Sequence, residues 1–228
     1  FTNHLPAEIG SLSQFKAVII MDLMGGVHWE PLQQIIFAAG AEHSPSLYRR
    51  VKDVASAGTM APLIVHPVGL HLVEEIPLIG RVAFSDYDAF RNASVPFLFL
   101  SSGRTPRYHQ PTDLPNTLHY ERMASTVHWL QSLISSIDQD KEPYRFEKDR
   151  LEFSDEVEAF RPLTVKAAEE ATKIPGTSSL SLWKLKQDRD WLERLDPTNA
   201  TPEDVKRMER LSIRMQCLLS DMPGCFLL

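Results

Sequence analysis

Two side chains in this sequence are placed where chemistry is usually done. His109 lies in the polar stretch 101–113, after the apolar run Val95-Pro-Phe-Leu-Phe-Leu100 and before an amphipathic segment starting near Leu118. The order is buried strand, loop, helix, and loops at the carboxyl ends of parallel strands are where α/β proteins bind ligands. An imidazole there serves as metal ligand, general base or plain loop residue. Asp113, four positions on, is the kind of carboxylate that fixes the tautomer of a metal-bound imidazole. The second side chain is Asp22, which closes the apolar run 16–22 and is followed by Leu23, Met24 and two glycines. A carboxylate at the tip of a buried strand is costly unless it is paired, hydrogen-bonded or bound to metal.

The segments between them must form the scaffold. Short apolar runs without alternation read as strands buried on both faces, at 16–22, 34–39, 63–66 and 95–100, with Pro62 and Pro67 keeping the third short. Ser44-Pro45 opens a helix that is expected to run to Ala57 and stop at Gly58. Residues 82–92 read as a turn and a short helix. Ser85 and Asp86 either cap that helix, or Asp86 lies beside Asp22 at one edge of the sheet. Glu74-Glu75 has no strand before it and reads as solvated. His28, His43, His66 and His71 lack the i, i+4 spacing of a zinc helix and read as surface or satisfied histidines.

From Leu118, positions 123, 127, 130, 134 and 137 form one apolar helical face that covers the sheet. After residue 140 the strand-like runs end. Helices are expected at 155–172, bent at Pro162, at 178–195, and from Thr201, where Thr-Pro-Glu-Asp is an N-cap with acids suited to the helix dipole. The expected organisation is therefore an α/β domain over 1–140 and a helical extension over 141–228, the extension serving helix packing or a homodimer interface.

Composition narrows the partners. With 43% hydrophobic residues the chain can bury a core, and a net charge of -6 makes it no electrostatic match for nucleic acid or an anionic membrane. No apolar run approaches the roughly 20 residues that span a bilayer. Cys217 and Cys225 are too few for a disulfide framework.

Four motifs occur in order: Val-Ile-Ile-Met-Asp-Leu-Met-Gly around Asp22, Phe84-Ser-Asp-Tyr-Asp-Ala-Phe90, the run 95–100, and Tyr108-His-Gln-Pro-Thr-Asp113. Together, over residues 15–138, they resemble the C-terminal half of the zinc-dependent aminopeptidase family, which includes glutaminyl cyclases and glutamate carboxypeptidases. The resemblance implies a three-layer α/β/α fold with a mixed, mostly parallel sheet and one or two zinc ions at its edge. It makes His109 the last zinc ligand. Asp22 becomes a ligand of the second zinc, or part of the hydrogen-bond network of one-zinc cyclases. Asp86 and Asp113 would support these groups, and Leu23, Tyr87, Phe90 and Tyr108 would wall a peptide-binding pocket. Zinc lowers the pKa of bound water to about 7, and that water would attack the peptide carbonyl.

The sequence departs from the family in two ways. Tyr87 stands where the family has His. The family's His-x-Asp, bridging Asp and Glu-Glu pair, which supply the general base and other ligands, have no counterpart among the 21 residues before Asp22. The chain begins at Phe1, so the expectation is the later portion of a larger enzyme, or a relic without a complete site. The expected function is N-terminal peptide-bond hydrolysis. The alternatives are a cyclase of N-terminal glutamine, against which Tyr108 in place of Trp counts, and a non-catalytic binding or dimerisation module.

Overall fold

The computed structural model describes residues 5–26, 29–54, 63–76, 79–148, 150–171 and 179–219. Four apolar runs form one sheet: β1 (Val18–Asp22), β2 (Ile35–Ala39), β3 (Ile64–Val68) and, after the hairpin β4 (Glu75–Ile76) and β5 (Gly80–Arg81), β6 (Phe97–Ser101). Their order is β1-β6-β2-β3. The β1–β6 and β2–β3 pairs are parallel, whereas β2 runs antiparallel to β6. Carboxyl ends therefore lie on both edges of the sheet, those of β1 and β6 on one and those of β2 and β3 on the other.

Both faces of the sheet are covered. Period-two alternation sends Phe97, Phe99, Ile35 and Ala39 to one face and Leu98, Leu100, Ile36 and Ala38 to the opposite one. The second face is covered by α1 (Pro45–Asp53), through Leu47 and Val51, and by α4 (Tyr120–Gln139), through Trp129, Leu130, Leu133 and Ile137. The first carries the short α2 (His71–Glu74), α3 (Tyr87–Asn92), α5 (Phe153–Glu170), α6 (Ser179–Arg194) and α7 (Pro202–Leu219). This is the expected three-layer α/β/α fold with a mixed, mostly parallel sheet and a helical C-terminal part. The apolar core on the first face runs without interruption from Trp29 to Met215, so α5 to α7 are its outer layer.

Local signals explain two of the element ends. Thr201 caps α7 as its sequence requires: Asp204 N–H donates to Thr201 Oγ1 at 3.2 Å, and the Asp204 carboxylate accepts from Thr201 N–H at 2.9 Å. Gly40 takes φ +89°, and a Cβ there would stand 2.2 Å from the Phe97 ring, so only glycine lets the chain turn after β2.

Several expectations are corrected. The helix opened by Pro45 ends at Asp53, because Val54 is already extended; residues 55–62 lie outside the described residues. Strand β3 runs through Pro67, which an edge strand tolerates because its missing N–H need not enter a ladder. The helix expected over 155–172 starts two residues earlier, at Phe153, with Pro162 inside it. The buried face of α4 is also rotated from the expected one: Val127 and Ile134 are 52% and 53% exposed, while Ser125, Thr126 and Trp129 face the sheet. No described helix is long and apolar enough to cross a membrane.

Candidate functional site

The rim at the carboxyl ends of β1 and β6 is built by register. Asp22 stands opposite Ser101 on adjacent parallel strands. The loops that follow run side by side: Ser102 N–H donates to Leu23 O at 3.4 Å, and a Cβ on Gly26 would touch the Thr105 methyl at 3.1 Å. Beneath them Arg122 enters from α4. Its guanidinium donates to Met24 O at 3.0 Å, to Ile35 O at 3.2 Å and to Ser102 Oγ, tying β1, β2 and β6 together at this end. Burial pushes Arg122 down to about 10.

Above the rim the loop from Gly103 folds into a turn, with Tyr108 N–H on Thr105 O at 3.0 Å. Arg104 bridges two rings, lying 4.9 Å from the Phe84 centroid and 5.0 Å from that of Tyr108. The Tyr108 ring in turn stacks on His109 at 3.8 Å. Leu23 and His109 both take left-handed backbone, at φ +56° and +58°, a conformation that costs a non-glycine residue energy and clusters at functional sites.

The expected site residues do not all meet. Asp22 is half-buried at its strand end, whereas His109, Asp86 and Asp113 are exposed. Asp86 occupies the N-cap position of α3 but makes no side-chain cap bond. Among the described residues no hydrogen bond or ion pair joins His109 to Asp22, Asp86 or Asp113, and no three His, Cys, Asp or Glu side chains gather as a metal-holding group. The reason is local: the left-handed turn lays the imidazole flat on Tyr108. Protein zinc sites use three or four protein ligands, so the described residues do not fit zinc unaided. Leu23 and Tyr108 are half-buried at the rim. Tyr87 and Phe90 are core residues and not open pocket walls: Tyr87 is 0% exposed, its ring lies 5.0 Å from that of Phe99, and its hydroxyl accepts from Phe84 N–H at 3.1 Å.

The opposite edge holds a cluster whose members read in the sequence as separate residues, His43 and His71 as surface or satisfied histidines and Glu74 as solvated. After β2, the turn Ala41–His43 buries Glu42, whose Oε1 accepts from Leu70 N–H at 2.7 Å. After β3, Gly69 N–H donates to Glu156 at 2.8 Å; a Cβ on Gly69 would stand 2.3 Å from that same carboxylate. His71 is clamped between Glu156 of α5, at 3.0 Å from Nε2, and Glu209 of α7, at 2.9 Å from Nδ1. Burial opposes charge on His71, but the two carboxylates outweigh it and hold the imidazolium up to about 10. Glu74, expected in solvent, is 2% exposed and paired with Arg91 at 2.5 Å and Arg81 at 3.0 Å. Burial raises Glu42 to about 7, against the lowering effect of its bond from Leu70. The available signal is the one that marks Asp22, an acid at the end of a strand. Here it was displaced three residues by the Gly40 turn. His28 lies outside the described residues.

Comparison of the chain with protein-family models, curated proteins and solved structures finds no match.

Proposed function

We propose that the chain is a peptide-handling α/β domain of exopeptidase type, with the β1/β6 rim as its substrate-facing edge. The supporting observation is the Phe84–Arg104–Tyr108–His109 stack on the same rim as Asp22. A half-buried carboxylate suits the free ammonium of a peptide's amino end, and the neighbouring rings suit an apolar first side chain. In this reading Asp22 and His109 are what these residues offer toward zinc, and hydrolysis needs further donors and a general base in addition to them.

A second reading, a peptide-binding module without turnover, is favoured by the imidazole of His109 lying against Tyr108 and away from other donors. Zinc content, an aminoacyl-nitroanilide assay and titration with a free-amino peptide separate the two. Chelator-sensitive turnover that falls with Asp22→Asn and His109→Ala supports the hydrolase. Saturable binding of the free-amino peptide without turnover supports the module. The absence of both turnover and binding rejects the proposal.

A further inference from the structure

A cavity of about 470 Å³ opens at the carboxyl ends of β2 and β3, on the sheet edge opposite the Asp22 rim. Its wall holds Glu42, His71, Glu74, Phe146, Lys148 and Glu209. Most of the charge there is satisfied internally: His71 by Glu156 and Glu209, Glu74 by Arg91 and Arg81. One atom is not. Glu42 is 3% exposed, and its Oε2 has no hydrogen-bond partner. Leaving a buried acceptor unmatched costs about 1–3 kcal/mol, and more for a charged one, so a donor arriving there is strongly favoured. At the outer edge Lys148 is exposed and makes no ion pair among the described residues. Phe146, stacked on His43 at 5.1 Å, supplies an apolar wall. A metal ion does not match, because both His71 nitrogens are engaged by carboxylates and no three such side chains among the described residues are arranged to hold one.

We infer that this cavity binds a small zwitterion of the α-amino acid class, its ammonium on Glu42 Oε2 and its carboxylate on Lys148. The buried acid faces His43 of its own turn, His71 of α2 and Glu156 of α5. Glu156 disfavours its ionisation and His71 favours it. Glu42 must be ionised to hold an ammonium, so affinity rises as pH increases through about 7.

The test is calorimetric titration of the full chain at pH 8 with three probes: L-leucine, N-acetyl-L-leucine and L-leucinamide. L-Leucine is expected to bind saturably at millimolar concentrations, and the N-acetyl compound at least about tenfold more weakly, a loss of about 1.4 kcal/mol. Glu42→Gln lowers L-leucine affinity by a similar factor. Lys148→Ala weakens L-leucine and leaves L-leucinamide unchanged. No saturable binding, equal affinity for the free and acetylated compounds, or equal losses for leucine and leucinamide in Lys148→Ala overturns the assignment. Should Glu42→Gln fail to fold by circular dichroism, the comparison of probes on the native chain still decides. Because the rim is assayed separately by turnover and peptide binding, failure here leaves that reading standing.

Discussion

His71 joins α2 to α5 and α7 through the two nitrogens of one ring. Removing the ring leaves Glu156, which is fully buried, without its cation, and breaking a buried pair from one side costs about 3–5 kcal/mol. His71→Ala is therefore expected to lose that much stability at pH 7 in denaturant unfolding. Because the folded pKa is raised, the pair's contribution is fully present below about 6.5 and is lost as pH rises through about 10. The gap between variant and parent should close over that interval. Glu42 has the same sign and a lower window. Its folded pKa is raised from 4.5 to about 7, so its favourable contribution is present below 4.5 and lost as pH rises through about 7. Unfolding curves at pH 5 and pH 8 should show Glu42→Gln gaining on the parent by about 2.5 kcal/mol at the higher pH.

Helix α4 shows why periodicity located an element but misjudged its orientation. Counting apolar residues selects Val127 and Ile134, yet both are half-exposed. Ser125 and Thr126 face the sheet instead, because their hydroxyls are satisfied within the helix by the carbonyls of Glu121 and Arg122, at 3.1 and 2.9 Å. Small polar residues satisfied in this way can hide in a core that a hydrophobicity pattern assigns to others. Trp129→Ala is expected to cost about 3–5 kcal/mol, whereas Val127→Ala and Ile134→Ala should each stay within about 0.5 kcal/mol beyond helix propensity. Thermal unfolding of the three variants checks the orientation directly; equal losses would restore the simple apolar face.

At the scale of the whole molecule, the change of composition after residue 140 marks a change in secondary structure but not a break in packing. Phe160 of α5 lies 6.2 Å from Phe37 of β2, ring to ring, and Leu185, Leu192, Leu211 and Met215 belong to the same core as Phe97 and Phe99. A chain ending at residue 150 would strip α5 to α7 from one face of the sheet and leave only the short α2 and α3 over it. It is expected to lack cooperative unfolding by circular dichroism; a sharp transition in that fragment would show that residues 1–150 fold independently.

The sequence by itself located the four strands of the main sheet and the long helices, since these follow from local apolar runs, caps and turns, whereas the three-layer class was what its resemblance to the peptidase family implied. It also marked Asp22 and His109 as chemically unusual positions. Only the tertiary structure decided what those positions meet. Whether an imidazole turns toward a carboxylate depends on the backbone torsion at one loop residue, here φ +58° at His109, which no spacing encodes. The antiparallel pairing of β2 with β6 likewise sent the carboxyl ends of β2 and β3 to the other edge of the sheet, where Glu42, His71, Glu74, Glu156 and Glu209 converge from distant segments. Such convergence is a property of strand order and direction, which the local pattern leaves free.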